Sequence, residues 1–130
     1  MNIICGPEQD QRTITITLPK NKSRIGVLVS GGLDSAILYY LILLENKLRG
    51  NIHQILPITV MRKEGSKYFS SLVVGHVNQQ FNIPYSDPLV VGNNTLTEEE
   101  QVKSGVNQAL NQGFDIVYAC LLYTSDAADE

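Results

Sequence analysis

Residues 13–18 alternate strictly between threonine and an aliphatic side chain, Thr-Ile-Thr-Ile-Thr-Leu. Period-two alternation of β-branched residues predicts a strand with one face buried. Ile3 and Ile4 predict a partner strand, joined to it through the Gly6-Pro7 turn as a small hairpin. Pro19 and the polar residues up to Ser23 end that pattern. Residues 25–29, Ile-Gly-Val-Leu-Val, are then apolar throughout, as a central parallel strand is. The unbroken apolar run 36–44 predicts a helix over 34–48, ended by Gly50-Asn51. Nearly every face of that helix is apolar, so it is expected to be covered by other elements.

Strand and helix continue to alternate. Residues 52–60 predict a second strand in the sheet, where Pro57 implies a bend or a late start. A polar loop over 62–67 leads into a helix over 66–80, with Phe69, Leu72, Val73, His76 and Val77 on one apolar side. On that side His76 reads as a core histidine, while His53 has no evident partner. Leu89-Val90-Val91 is a short strand closed by Gly92. Thr97-Glu98-Glu99-Glu100 forms a capping box before the stripe Val102, Val106, Ala109 and Leu110. Gly113 ends that helix, and residues 114–119 supply a fourth sheet strand. The pattern predicts an α/β sandwich around a parallel sheet. Ligands of such sheets bind outside the carboxyl ends of the strands, where the winding direction reverses.

Composition narrows the class only moderately. With 43% hydrophobic and 18% charged residues, the chain has an ordinary globular make-up. Ten basic against 13 acidic residues leave no positive excess for gripping a nucleic-acid backbone. The longest apolar run, 36–44, is too short to span a bilayer, and no basic leader precedes a hydrophobic stretch. A cytoplasmic setting is expected. Cys5 and Cys120 cannot build a disulfide framework or a zinc site. Residues 120–130 resemble a translated transposon-end sequencing adapter and are read as an artefactual tail. That reading divides the chain into an N-terminal β extension over 1–22, a partial, C-terminally truncated α/β domain over 23–119, and the tail.

The chemistry is concentrated where the strand 25–29 hands over to the first helix, in Ser30-Gly31-Gly32-Leu33-Asp34-Ser35. Adjacent glycines at a strand-to-helix turn let main chain approach a ligand closely and leave N–H groups pointing outward. The helix start adds unpaired N–H groups and the positive dipole end. Hydrogen bonds to a charged group are worth roughly 1.5–3 kcal/mol each, against about 0.3–1 kcal/mol for the dipole. Main-chain N–H groups should therefore dominate the grip on an anion, and phosphate is the anion expected. The loop is not a Walker motif, since no lysine follows Gly32 before Lys47, and no Gly-x-Gly-x-x-Gly is present.

All six positions of Ser30 to Ser35 match Ser-Gly-Gly-x-Asp-Ser, and the hexapeptide resembles the PP-loop of the N-type ATP pyrophosphatases. The resemblance implies a Rossmann-like three-layer sandwich of the adenine nucleotide alpha hydrolase type. It places strand 25–29 centrally, the next two strands on one side of it and the fourth on the other. It also implies ATP and magnesium, and adenylation of a second substrate with release of pyrophosphate by a ligase or amidotransferase-type enzyme. Ser30, Gly31, Gly32, Leu33, Asp34 and Ser35 would hold the pyrophosphate end of ATP. Asp34 would either cap the helix or stand near magnesium, while no catalytic side chain is assigned. Thr59, Val60 and Met61 would lie against adenine, and Arg62, Lys63 and Lys67 would reach phosphate or substrate.

Leucine at the variable position leans toward the 7-cyano-7-deazaguanine synthases or asparagine synthetases within that superfamily. The second substrate is a small molecule or is linked to tRNA, without direct sign of nucleic-acid or membrane binding, and a homo-oligomer is left open. As an N-terminal fragment the chain itself is expected to be inactive. Two alternatives keep the loop: a phosphoadenosine phosphosulfate reductase-like protein binding nucleotide and sulfate, and a nucleotide-binding module without catalysis.

Overall fold

The computed structural model describes residues 1–30, 32–60, 66–85, 87–91 and 98–119. β1 (Asn2–Cys5) and β2 (Arg12–Thr15) pair antiparallel, with Ile3 opposite Ile14. The second strand of this hairpin is shorter than its alternating pattern predicts, and all four of its residues are exposed. The buried members of the alternation are Ile16 and Leu18, past the end of β2. Main-chain bonds between Met1 and Ile16 run in both directions, at 2.8 and 3.0 Å, and hold Ile16 where it joins the core.

The main sheet is parallel and four-stranded: β3 (Arg24–Leu28), β4 (Gln54–Val60), β5 (Leu89–Val91) and β6 (Ile116–Tyr118), in the order β5-β4-β3-β6. Between them run α1 (Leu33–Leu48), α2 (Ser66–Gln80) and α3 (Glu98–Asn111). The chain thus steps outward from β3 through β4 to β5, then returns to place β6 on the other side of β3. This is the strand order that the resemblance of Ser30–Ser35 implies, and the architecture is mixed α/β.

Alternation along β3 divides the core. Ile25, Val27 and Val29 pack with Tyr39, Ile42 and Leu43 of α1, Val74 and Val77 of α2, and Ile16 and Leu18 from the hairpin. Leu28 turns to the opposite face, where Ile58, Val60 and Val91 meet Val102 and Ala109 of α3 and Phe114. Helices therefore cover both faces. Each fully buried aliphatic side chain contributes roughly 1.5–3 kcal/mol. On the second face α3 approaches closely through Gly105, where a Cβ would stand 2.9 Å from Val91 and 3.1 Å from Val60.

Pro57 neither bends nor delays β4, which runs through it in register with Val27. The Ile58 carbonyl accepts from Val29 at 2.8 Å, so Ile58 faces β3 and Pro57 presents its missing donor to the opposite side. There β5 pairing starts only at Ile58, and the missing N–H leaves no gap in the ladder.

Two expectations about helix faces are corrected. Phe69 and Leu72 of α2 are 53% and 55% exposed, and His76 is exposed as well, so it is not a core histidine. The inward face is instead Ser70, Val74, Val77 and Asn78. Buried polar pairs select it: Thr59 Oγ1 lies 2.7 Å from Ser70 Oγ, and the Tyr39 hydroxyl donates to Asn78 Oδ1 at 2.6 Å. Likewise α1 is not covered all round. Leu33, Ile37, Tyr40 and Leu48 form an exposed stripe along it, with Tyr40 tilted against Phe81 at 5.2 Å. On α3, Val102 and Ala109 are buried as predicted while Leu110 is exposed. Thr97 of the expected capping box lies outside the described residues. Among the described residues no helix is long and apolar enough to cross a membrane.

Candidate functional site

Ser30 to Ser35 follow the carboxyl end of β3, the strand beside which the sheet reverses direction, and lead directly into α1. Gly31 lies outside the described residues. The two serine hydroxyls organise the rest. The Ser30 N–H donates to Ser35 Oγ at 3.0 Å, and the Gly32 N–H donates to Ser30 Oγ at 3.3 Å. Ser35 Oγ donates to the Gly32 carbonyl at 3.3 Å and stands 3.1 Å from Ser30 Oγ. Ser35 has one hydroxyl hydrogen, so with that hydrogen on Gly32 the Ser30 hydroxyl must donate to Ser35. Both hydroxyl hydrogens are then held inside the loop in the free protein.

Gly32 is the N-cap of α1, and its carbonyl accepts the first helical bond, from Ala36 at 3.1 Å. The amides of Leu33, Asp34 and Ser35 consequently have no intrahelical acceptor. Leu33 and Asp34 are exposed, so two open donors face solvent at the positive end of a 16-residue helix. Asp34 stands inside the first turn, which excludes it as the cap. Its carboxylate is exposed and belongs to no metal-ligand group of three among the described residues.

Gly32 is not required by the fold. Its φ of −83° and ψ of 167° are extended values open to any residue, and an added Cβ would meet only Ser30 Oγ, at 3.5 Å. The missing side chain instead keeps space free outside the loop. This differs from Gly105, where packing fills the place of the side chain.

At the end of β4, Thr59 is fully buried, its hydroxyl held between the Val29 carbonyl at 3.2 Å and Ser70. Val60 is buried on the α3 face of the sheet. Both side chains are thus turned inward, and both positions pair in register with Val90 and Val91 of β5. Met61, Arg62 and Lys63 lie outside the described residues, and Lys67 occupies the first turn of α2. The structure therefore sets Ser30 and Gly32 to Ser35 together at the carboxyl edge, with Thr59 and Val60 one strand away.

Sequence reasoning missed the polar cluster at the opposite, amino edge. His53 is 5% exposed, and its main chain is clamped by the Asn46 amide, which donates to the His53 carbonyl at 3.0 Å and accepts its N–H at 3.1 Å. His53 Nδ1 accepts the Ser23 N–H at 3.0 Å. Next to Asn46, Glu45 accepts from Arg49 Nε at 2.7 Å and lies 3.3 Å from the Met1 amine. The Arg49 hydrogen bond, aided by the amine, holds the Glu45 carboxyl below its ordinary pKa of 4.5 against the opposing effect of burial. Desolvation pushes Tyr39 up to about 12, with its bond to Asn78 working the other way. The signal for the cluster was an asparagine late in α1 and a histidine opening a strand, a pairing that no periodicity marks.

No protein-family model matches the chain, and no curated protein matches it.

Proposed function

We propose that the chain binds the polyphosphate end of ATP at Ser30 to Ser35, as a Rossmann-like nucleotide-binding domain of PP-loop ATP pyrophosphatase type. The observation that carries the reading is Gly32: an N-cap glycine that neither backbone conformation nor packing requires, beside open amides at the start of α1. A glycine kept for the space outside it suits close approach by a ligand. Phosphate is the ligand that exposed helix-start amides favour.

In this reading Leu33 and Asp34 present open amides to phosphate oxygens, Gly32 leaves room for their approach, and the Ser30–Ser35 hydroxyl circuit holds that main chain in shape. Asp34 decides the role of a cation. An exposed carboxylate in the same turn repels a polyphosphate unless a cation lies between them. One carboxylate plus phosphate oxygens is a donor set that suits magnesium, so Asp34 would hold it. Magnesium supplies neutralisation of charge developing on the phosphates. The end of β4, at Thr59 and Val60, receives the adenine ring. The loop thus positions an α-phosphate for attack by a second substrate, an adenylation that needs orientation and charge stabilisation rather than a covalent enzyme intermediate.

The test is thermal unfolding with Mg-ATP. Saturation at about 100 times Kd adds about 2.7 kcal/mol of stability, and Gly32→Val removes that protection while the unliganded protein still melts cooperatively. Protection that survives Gly32→Val would exclude the loop as the site.

A further inference from the structure

The hydrophobic pattern of α1 predicts cover on nearly every face, yet Leu33, Ile37, Tyr40 and Leu48 stay exposed and Leu41 and Leu44 are half-buried. Leu33, Ile37, Tyr40 and Leu44 follow one another at intervals of four, three and four residues. That is the spacing of a coiled-coil seam, which fits the side of another helix. Charge is confined to the two ends of the stripe. Asp34 is exposed in the first turn and Lys47 in the last, and neither makes an ion pair among the described residues. Glu45, the charged side chain between them, is buried and bonded to Arg49.

The stripe reads the same from both ends. α1 runs from Leu33 to Leu48, so its midpoint falls between Tyr40 and Leu41. About that midpoint Leu33 matches Leu48, Ile37 matches Leu44, Tyr40 matches Leu41, and Asp34 matches Lys47. When two copies of the helix lie antiparallel, apolar positions therefore meet apolar ones at the same level and each acid meets a base. Parallel copies would set Asp34 beside Asp34 and Lys47 beside Lys47. Antiparallel packing also brings the positive end of each helix dipole to the negative end of the other. Phe81, tilted against Tyr40 at 5.2 Å, widens the apolar surface next to the midpoint.

We infer that α1 is a self-association surface whose occupant is α1 of a second copy, antiparallel about a twofold axis between Tyr40 and Leu41. Such an axis makes every contact twice. The inference concerns the nucleotide-free protein, in which Asp34 faces Lys47 of the second copy, and it does not rest on the ATP reading.

The experiment is sedimentation equilibrium of the 130-residue chain without nucleotide. A seam of 16 residues is about 24 Å long, at the small end of specific interfaces, so a dimer with Kd of roughly 1–100 μM is expected. Ile37→Glu, at an exposed position, should weaken it about a hundredfold while far-UV circular dichroism stays unchanged. Lys47→Glu should weaken it about tenfold, because both attractive pairs become repulsive, and adding Asp34→Lys should restore most of the loss. A dimer through another face, or through parallel helices, would not show that rescue. A monomer at every concentration overturns the inference, whether another segment of the chain or nothing covers the stripe. So does a dimer indifferent to Ile37→Glu or to Lys47→Glu, or a charge reversal that fails to rescue.

Discussion

The two ends of β3 handle their polar groups in opposite ways. At the carboxyl end, Ser30, Gly32 and Ser35 bond to one another in a loop whose Leu33 and Asp34 amides remain open to solvent. At the amino end, Asn46, His53 and Ser23 interlock inside the protein and leave a single ring nitrogen unpaired. Open donors cost the free protein little, since water replaces the missing ligand. A sealed donor carries its full desolvation penalty, roughly 1–3 kcal/mol, until something accepts from it. Stability and ligand readiness are therefore placed at different ends of one strand.

The largest effect is expected from cutting the amino-end clamp. Asn46→Ala leaves the His53 N–H and carbonyl without partners inside the protein, a loss of roughly 2–6 kcal/mol for the two groups. Chemical denaturation should show it as a fall in midpoint with unchanged slope. Ser35→Ala breaks a comparable set of bonds at the carboxyl end, but these are only part-buried beside the exposed Gly32, and about 0.5–1.5 kcal/mol is expected. Its larger consequence should be weaker ATP protection, because the main chain at Ser30 and Gly32 loses the hydroxyl that shapes it. Equal destabilisation by the two variants would erase the contrast between the ends. Gly32→Val sharpens it further: since a Cβ there meets only Ser30 Oγ, at 3.5 Å, stability should change by about 1 kcal/mol or less while the ATP-dependent shift disappears.

Much of this was legible in the sequence, for local reasons. The four sheet strands and three helices follow from hydrophobic period and from glycine and proline placement. The start of α1 falls inside the hexapeptide because Gly32 takes the cap and Asp34 the first turn. What the pattern hid was polar burial. Periodicity assigned Phe69, Leu72 and His76 to the inner face of α2, yet Thr59 and Tyr39 need hydroxyl and amide partners, and Ser70 and Asn78 supply them from the other face. The same blindness concealed His53, whose burial depends on Asn46, seven positions earlier, and on Ser23, thirty earlier. For the candidate site, the sequence located the loop but not the closed hydroxyl circuit, which arises only when the turn brings Ser35 back onto Ser30.

Acid offers the mildest way to separate the two ends. Glu45 lies beside Asn46 and joins the Met1 amine and Arg49 to the last turns of α1. Its carboxyl titrates lower in the folded protein than its ordinary 4.5, so the folded state binds this proton less readily than the unfolded chain. The stability it contributes is complete above that ordinary value and is lost as pH falls below it through the folded pKa. As pH falls below 4.5, amide protection factors, the observed rates corrected for intrinsic exchange at each pH, are expected to drop first at Ile16, Arg49 and Asn51, whose main-chain bonds adjoin Glu45, while Ala36 at the other end of α1 keeps its protection. In Glu45→Gln the acid-dependent step should vanish and leave uniformly faster exchange at the amino end. If protection at Ala36 instead falls in parallel with that at Arg49, the helix opens as one unit, and the two ends of β3 are not energetically separate.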